Sequence, residues 1–375
     1  MPPETNSRGV GYPTNVEALE TFLEEKIHKS PVPGLSVAVV RSDGLVWARG
    51  FGFADLASLA PATPATIYLW FSMTKIVTAT AALRLAERGN LDLDAPVIEY
   101  FADFSAVSQP VPLTVRHLLS HSSGLANPIP IRWVRPAGAP APDQRAFVNR
   151  LLAKHRELKF VPGERASYSN LGYLVLGEVI SEAAGMRYEE YVRDNILVPL
   201  GMNRTGFTYP ELARHDAATA YQPLWRPLTP LLRAVLPDDV VGPRQGRYVT
   251  FNPFYVNGAA YGGLLGSVDE AIRFVLLHLN GGRLDDARLM SPESVAVMQR
   301  VTSRGGKRDF GLGWFRPHGA GQLRPAFVEH LGGGAGFLNV MRLYPEESLG
   351  VVMMGNTTRY DHESILDAIV RVVCS

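Results

Sequence analysis

A helix that is apolar on nearly every face is the strongest constraint on how this chain folds. The periodic segment from about Ser72 to Arg88 ends at Gly89-Asn90, a typical helix stop. Its apolar residues surround the helix instead of forming one stripe: Ile76, Val77, Ala79, Ala81, Ala82 and Leu83. Such a helix is stable only when other elements cover all of its sides. We therefore predict a buried central helix.

Strands are predicted near both ends of the chain, with helices between them. Thr14-Asn15-Val16-Glu17 has the spacing of a capping box at the first helix. The predicted elements are a helix over about 15–29, strands 35–41 and 45–52, helices over about 144–156, 171–184 and 188–196, strands 336–344 and 349–355, and a helix over about 360–373. This order predicts an α/β domain over 15–95 and 258–375, with a mostly helical domain, 96–257, inserted into it.

Charge and cysteine content exclude several classes of protein. The 375 residues include 37 basic and 36 acidic side chains. The net charge of +1 gives no reason to expect nucleic acid or an acidic membrane as a partner. The single cysteine, Cys374, excludes a disulfide framework within the chain and a cysteine-rich metal site. No signal peptide or apolar run of about 18 residues is visible, so we expect a cytoplasmic protein.

Most motifs of common enzyme classes are absent from the sequence. It has no G-x-S-x-G elbow, P-loop, dinucleotide-type glycine motif or H-E-x-x-H. His117 and His121 are four residues apart, a spacing that can bind zinc on one helix face. They lack an intervening glutamate and an obvious third ligand. A structural role at a helix end is therefore the favoured interpretation.

The chain contains one Ser-x-x-Lys sequence, Ser72-Met73-Thr74-Lys75, at the start of the buried helix. Residues i and i+3 share a helix face, so the Lys75 amine can lie beside the Ser72 hydroxyl. The helix N-terminus favours negative charge developing on Oγ. Lys75 is one of only six lysines, and a charged amine in an apolar helix is costly. The alternative is a helix-capping serine with a lysine that extends to the surface.

A second candidate pair is in Tyr168-Ser169-Asn170. It follows a turn at Pro162-Gly163 and precedes the apolar run 171–180, which predicts a loop held by a buried helix. Another Tyr-x-Asn sequence, Tyr255-Val256-Asn257, lies in an irregular stretch and is the weaker candidate.

The third candidate is His330-Leu331-Gly332-Gly333-Gly334, which leads into a predicted strand. Glycines at such a position let the backbone approach a ligand closely and present N–H groups along a strand edge. The alternative is a tight turn at the entry to the sheet.

In this order the three motifs resemble the S-x-x-K, Y-x-N and K-T-G or H-x-G pattern of the serine β-lactamase and penicillin-binding-protein superfamily. The resemblance is to its branch of class C β-lactamases, D-alanyl carboxypeptidases, D-aminopeptidases and family VIII carboxylesterases. Segments 113–125, 160–180 and 262–274 are of the kind seen there, so the resemblance runs from about residue 16 to the C-terminus. It implies an antiparallel sheet flanked by helices, with an inserted mostly helical domain.

The resemblance also implies a serine hydrolase that needs no cofactor or metal. Ser72 would attack an ester or amide carbonyl and form an acyl-enzyme. Lys75 and Tyr168 would share removal of its proton, which requires pKa values about three units below their usual values near 10. Asn170 would orient Lys75 and the substrate. The N–H groups of Ser72 and Gly333, the latter next to Gly332, would form an oxyanion hole.

The third motif departs from the β-lactamase pattern in a way that bears on the substrate. In β-lactamases a lysine there helps to hold the antibiotic's carboxylate, and a hydroxyl residue follows. Here His330 and Leu331 stand at those places, and they should bind that carboxylate less well. We therefore predict a carboxylesterase acting on small or medium esters.

Several alternatives to a carboxylesterase stay open. They are a D-amino-acid amidase or peptidase, a weak β-lactamase, an acyltransferase, and a catalytically inactive member that senses a ligand. The expected partner is a small-molecule ester or amide, and the sequence does not predict the oligomeric state.

Two proline-rich stretches, 127–144 and 222–257, are too irregular to be simple connectors. As insertions in this superfamily often do, they are expected to flank the site. Trp133, Trp225 and Tyr255 can then line an acyl or alcohol pocket, or they are surface packing.

Overall fold

The chain is a mixed helix and sheet structure. The computed structural model describes residues 15–30, 32–107, 111–209, 216–224, 234–318 and 325–374. Its strands are β1 (Gly34–Arg41), β2 (Gly44–Asp55), β3 (Ala60–Pro61), β4 (Tyr68–Leu69), β5 (Val134–Pro136), β6 (Ala220–Pro223), β7 (Val241–Gln245), β8 (Tyr248–Phe251), β9 (Phe254–Val256), β10 (Leu265–Gly266), β11 (Arg283–Leu284), β12 (Ala287–Arg288), β13 (Ser303–Arg304), β14 (Arg308–Phe310), β15 (Phe315–Pro317), β16 (Val328–Gly334), β17 (Phe337–Tyr344) and β18 (Leu349–Gly355). Its α-helices are α1 (Val16–Lys29), α2 (Thr74–Glu87), α3 (Val97–Tyr100), α4 (Val115–Leu119), α5 (Gln144–Lys154), α6 (Asn170–Ala184), α7 (Tyr188–Val192), α8 (Ala259–Gly262), α9 (Val268–Leu279), α10 (Pro292–Gln299) and α11 (His362–Val373).

The main sheet is antiparallel throughout and joins strands from the two ends of the chain. Its order is β13-β14-β15-β16-β17-β18-β1-β2-β3. The N-terminal strand β1 pairs with β18, with Leu35 opposite Gly355 and Arg41 opposite Leu349. The predicted antiparallel sheet, flanked by helices and completed by the C-terminus, is therefore confirmed.

Strand β1 is buried on both faces of the sheet, and its apolar residues alternate between two cores. Leu35, Val37 and Val39 face a core that also contains apolar residues of α1 and α11. Ala38 and Val40 face a larger core that contains residues of α2, α6 and α9. This period of two is what a strand between two helical layers requires. The terminal helices thus cover one face of the sheet, and the other helices cover the second face.

Helix α2 confirms the prediction of a buried central helix. Every residue from Thr74 to Leu83 is buried, because helices α6, α7 and α8 pack around α2. The α-helix begins two residues later than predicted. Ser72 instead lies in a single 3-10 turn, Phe71–Met73, which leads directly into the helix; Phe71, before Ser72, has φ +48°.

Helix α1 begins at a side-chain cap. Asn15 is the capping residue of α1, and its Oδ1 accepts the Ala18 N–H at 2.8 Å. Thr14, the predicted cap, lies outside the described residues.

The division into one domain of 15–95 and 258–375 and a second domain of 96–257 stays a prediction. A single apolar core contains residues from both regions.

Candidate active site

The turn Phe71–Met73 carries Ser72 between strand β4 and helix α2. Turn and helix together place the Lys75 Nζ 3.2 Å from the Ser72 Oγ. Ser72 does not cap the helix, since the capping position is Met73. Lys75 is fully buried and does not reach the surface. The alternative of a capping serine with an extended lysine is therefore wrong.

The Lys75 amine has three polar neighbours. Asn170, the first residue of α6, places its Oδ1 2.9 Å from Nζ, and the backbone carbonyl of Tyr261 lies 2.7 Å from it. Both oxygens can only accept hydrogen bonds. A neutral amine has two N–H groups and one lone pair, so two donated hydrogen bonds leave the lone pair for the Ser72 hydroxyl. This is the arrangement of a base beside a nucleophile.

Burial favours the neutral form of the Lys75 amine, although three tyrosine rings around it attract the protonated form. The ring centroids of Tyr168, Tyr261 and Tyr173 lie 4.9, 5.2 and 5.4 Å from Nζ. Burial lowers the pKa of Lys75 well below its usual 10.5. The direction of this shift agrees with the fall that a base at neutral pH requires.

Tyr168 lies on the short loop before α6. His121 accepts hydrogen bonds from the residues on either side of Tyr168. The Ser167 N–H donates to the His121 carbonyl at 2.8 Å, and the Ser169 N–H donates to His121 Nδ1 at 3.2 Å. The imidazole ring centroid is 4.4 Å from that of Tyr168. The hydroxyl of Tyr168 is hydrogen-bonded to Ser72. The loop thus brings a phenol to the candidate nucleophile.

The expectation that the pKa of Tyr168 also falls is wrong. Burial raises the pKa of this phenol above its usual 10, and this outweighs the hydrogen bond with Ser72 and the charge of Arg308, which lower it. Tyr168 consequently keeps its proton at neutral pH. Lys75 is therefore the candidate base, and Tyr168 is a neutral phenol beside it.

The two histidines considered as metal ligands have separate structural roles. His117 completes a capping box at the start of α4, where its Nδ1 accepts the Thr114 N–H at 3.1 Å. His121 follows the end of that helix with φ +55°. These positions agree with a role at a helix end. In the part of the chain that the structure describes, no group of three or more His, Cys, Asp and Glu residues is placed to hold a metal ion.

The third motif forms strand β16 itself, so the alternative of a sheet-entry turn is wrong. Strand β16 pairs with β17 from Val328 to Gly334, whereas β15 pairs with it only at Glu329. Among the described strands, none pairs with its second edge from His330 to Gly334. Backbone groups along this edge are therefore free to meet a substrate.

Glycine is required where β16 lies against the turn that carries Ser72. A Cβ on Gly332 would overlap the Trp70 carbonyl, and one on Gly334 would overlap the Phe71 ring. Gly333 faces the other way, and the nearest atom to its added Cβ would be 3.6 Å away. The glycine run thus allows the close approach of strand and nucleophile turn that an oxyanion hole between Ser72 and Gly333 would need.

His330 is buried and neutral. Its Nδ1 lies 2.8 Å from the Leu331 carbonyl, which can only accept, so Nδ1 carries the proton. Burial lowers the pKa of His330 well below 6.5, and the charges of Lys75 and Arg308 act in the same direction. It therefore does not supply the positive charge of the lysine that the motif usually has.

The two proline-rich stretches meet in the structure, which the sequence did not predict. Strand β5 of the first pairs with β9 of the second, with Val134 opposite Val256. The first stretch also contacts the site, because Asn127 Oδ1 accepts the Asn170 N–H at 3.0 Å.

Trp133 packs edge-on against Tyr261 with ring centroids 5.4 Å apart, so Trp133 lies behind the Lys75 site. Tyr255 is buried beside Tyr209, and Trp225 lies outside the described residues.

Two contributors were missed by sequence reasoning. The Tyr261 carbonyl that accepts from Lys75 is a backbone group, and the only signal for it was the glycine-rich segment around it, 258–263. Arg308 lines a cavity beside Tyr168. It belongs to no motif, and its proximity depends on the pairing of β14 within the sheet.

The fold and the grouping of Ser72, Lys75 and Tyr168 define the class of the penicillin-binding proteins and serine β-lactamases. The chain belongs to the Beta-lactamase family, whose model matches residues 19–373. Membership of this family supports the prediction that the protein is a serine hydrolase. Among the described residues, no helix combines the length and apolar character needed to cross a membrane.

The chain is also similar to a curated relative and to two solved structures. Protein flp of Staphylococcus aureus (strain MW2) is 30% identical over 204 residues, which are 54% of this chain and 40% of that protein. The octameric penicillin-binding protein homologue of Pyrococcus abyssi superposes with a TM-score of 0.77 at 28% identity, covering 96% of this chain and 78% of that one. EstCE1, a hydrolase with promiscuous acyltransferase activity, has a TM-score of 0.74 at 21% identity, covering 94% and 97%. At that identity the likeness to EstCE1 shows the fold alone.

Proposed function

We propose that this protein is a serine carboxylesterase that forms an acyl-enzyme on Ser72. The observation that carries the proposal is the buried Lys75 amine, 3.2 Å from the Ser72 Oγ, with its pKa lowered by burial. In the first step the Ser72 Oγ attacks the ester carbonyl carbon while its proton passes to Lys75 Nζ. The carbonyl oxygen becomes an oxyanion, which the N–H groups of Ser72 and Gly333 stabilise.

Tyr168 is proposed to protonate the leaving group. When the bond between the carbonyl carbon and the alcohol oxygen breaks, Tyr168 gives its phenolic proton to that oxygen. The Lys75 ammonium then returns a proton to the phenolate, so Lys75 is neutral again. Water attacks the acyl-enzyme with Lys75 as base, and Ser72 regains its proton. Asn170 holds the amine in place through its Oδ1.

Esters are the proposed substrates because of the third motif. A neutral His330 and the apolar Leu331 stand where a lysine and a hydroxyl residue would hold the carboxylate of a β-lactam. The relation to a penicillin-binding protein homologue keeps a D-amino-acid peptidase or weak β-lactamase as the second candidate. Transfer of the acyl group to an added alcohol would use the same intermediate.

Hydrolysis of p-nitrophenyl acetate and butyrate tests the proposal. We expect turnover by the wild type and by Ser58→Ala, an exposed serine outside the site, and none by Ser72→Ala. Mass spectrometry after a fluorophosphonate probe should place the adduct on Ser72.

Other results would support different functions. Faster hydrolysis of D-alanyl amides or nitrocefin than of the esters would favour the second candidate, and product that depends on an added alcohol would indicate an acyltransferase. A chain that turns over none of these substrates and acquires no adduct would be an inactive, ligand-sensing member.

A further inference from the structure

The Tyr261 carbonyl, which accepts a hydrogen bond from the Lys75 amine, lies on a short element with little support of its own. Helix α8 is a single turn, Ala259–Gly262, between Gly258 and Gly263. Gly258 has φ +106°, so the chain enters the turn through a conformation that glycine adopts most readily. A helix of one turn is not stable alone. Its position beside the amine is therefore set by the helices that pack on it.

Two threonines of α2 hold the α8 segment on either side of this carbonyl. Thr74 Oγ1 accepts the Leu264 N–H at 3.2 Å, and Thr78 Oγ1 donates to the Ala260 carbonyl at 2.6 Å. Both threonines are fully buried, and a separation of four residues places them on one face of α2. The stretch of α2 that carries the buried amine therefore also holds the element that carries its acceptor.

The hydrogen bond from Thr78 to α8 is completed by Tyr188, the first residue of α7. The Tyr188 hydroxyl lies 2.8 Å from Thr78 Oγ1, and burial raises the pKa of this phenol, so it keeps its proton. The Thr74 carbonyl, the usual acceptor for a threonine in a helix, is 3.2 Å from Oγ1, farther than the Ala260 carbonyl. Tyr188 therefore donates to Thr78, and Thr78 donates to Ala260.

Helix α8 also packs closely on α6, whose first residue, Asn170, supplies the second acceptor of the amine. A Cβ added to Gly177 of α6 would lie 2.8 Å from the Ala260 Cβ, and one added to Gly258 would overlap the Leu174 side chain. Both acceptors of the amine thus lie on helices that pack against each other and against α2. A shift of α8 would change the position of one acceptor relative to the other.

We infer that Thr78 and Tyr188 are positioning residues: they hold α8, so that its backbone carbonyl orients the Lys75 amine. The inference rests on the proposed function, in which this amine takes the proton of Ser72. With both acceptors in place, the two N–H groups of the neutral amine are occupied and its lone pair is directed to Ser72. If α8 moved, one N–H would lose its acceptor, the amine would rotate more freely, and proton transfer would slow.

The pKa of Lys75 reports this contact, because a carbonyl oxygen stabilises an ammonium more than a neutral amine. Loss of the acceptor should therefore lower the pKa of Lys75 further. Water entering the site would act in the opposite direction, because hydration favours the ammonium. Burial keeps the titratable side chains that the structure places around the amine in their neutral forms at neutral pH, three phenols and two imidazoles: Tyr168, Tyr173, Tyr261, His121 and His330.

Thr78→Val tests the inference, since valine has nearly the shape of threonine and lacks its hydroxyl. In hydrolysis of p-nitrophenyl butyrate we expect the plateau of kcat/KM to fall about tenfold or more. The pH below which kcat/KM declines should also become lower. Thr78→Ser restores the hydroxyl and should recover much of the rate and the wild-type pH profile. Tyr188→Phe removes only the donor behind Thr78, so we expect a smaller change in the same direction.

The matched control is Thr80→Val. Thr80 is also a fully buried threonine of α2, but its hydroxyl donates to the Ile76 carbonyl of the same helix at 3.0 Å. The control should keep the wild-type pH profile even if it lowers stability. A profile of Thr78→Val that is unchanged, that moves to higher pH, or that moves equally in Thr80→Val would overturn the inference.

Nuclear magnetic resonance of protein labelled with carbon-13 lysine separates failure of this inference from failure of the proposed reaction. The chain has only six lysines, and Lys75→Arg identifies the Lys75 signal by its loss. Titration of this signal does not need turnover. A lower pKa of Lys75 in Thr78→Val than in the wild type, without ester hydrolysis by either, would support the inference and overturn the reaction. Hydrolysis that requires Ser72, with the same pKa of Lys75 in both proteins, would overturn the inference alone.

Discussion

At the scale of single residues, the site depends on how burial acts on two groups, the Lys75 amine and the Tyr168 phenol. Lys75 and Tyr168 have similar pKa values in water, and burial moves them in opposite directions. The reason is that an amine is charged when protonated and a phenol is charged when deprotonated. The same burial therefore favours a neutral amine and a neutral phenol beside one serine.

The pH dependence of activity should report the lowered pKa of Lys75. Activity requires the neutral amine, so kcat/KM should fall as the pH decreases through that pKa, which lies well below 10.5. Towards pH 10 the rate should already be level. The profile is measured with p-nitrophenyl butyrate after subtracting the rate with Ser72→Ala. A tenfold rise per pH unit that continues to pH 10 would show an amine with its ordinary pKa.

His121 should act on the reaction through the position of Tyr168. His121→Phe keeps a ring against Tyr168 but removes the Nδ1 that accepts the Ser169 N–H. We expect kcat to fall about tenfold, equivalent to ~1.4 kcal/mol, with little change in KM. His121→Asn can replace the acceptor and tolerates a positive φ, so it should recover part of the loss.

The control for this prediction is His117→Asn. It perturbs the cap of α4, so it should lower the free energy of unfolding by about 1 kcal/mol while kcat stays near the wild-type value. Equal effects of the two substitutions on kcat would argue against a specific role of His121.

At the scale of elements, strand β16 and the turn before α2 form the site only because their backbones touch. Gly332→Ala would place a methyl group against the Trp70 carbonyl. We expect a loss of about 1–3 kcal/mol in unfolding free energy and a fall in kcat, because the strand must move away from Ser72. Urea unfolding and ester hydrolysis measure both effects.

Gly333→Ala is the matched control for strand β16. An added Cβ there has ordinary van der Waals space, so the unfolding free energy should stay within about 0.5 kcal/mol of the wild type. If the two alanine variants were equally stable, β16 would not be held by this close approach.

The elements also show which parts of the site were predictable. Periodicity and composition identified α2 and placed Ser72 and Lys75 on one side of it, because i and i+3 contacts are local. The motif order identified Tyr168 and β16, although the contacts of Tyr168 with Lys75 and of β16 with the turn Phe71–Met73 are not local. Arg308 and the Tyr261 carbonyl could not be predicted, since one depends on strand pairing and the other is a backbone group. The rise in the pKa of Tyr168 was missed because it depends on burial.

At the scale of the whole molecule, one apolar core joins the sheet to the predicted inserted region. It contains residues of α2, of α6 from the middle of the chain, and of α9. We therefore predict one cooperative unfolding transition in calorimetry, with equal calorimetric and van't Hoff enthalpies. Two separate transitions would instead show that 96–257 unfolds as an independent domain.

The pairing of β1 with β18 has a consequence for synthesis of the protein. The backbone N–H of Gly34 donates to Asn356, 322 residues further along the chain. On the ribosome, β1 can pair with β2 early, but its other edge stays open until residues 349–355 have emerged. Contacts this distant slow folding, and an apolar open edge invites association with other chains. A premature stop codon even shortly before residue 349 should therefore yield aggregates, although Ser72, Lys75, Tyr168 and His330 would all have been made.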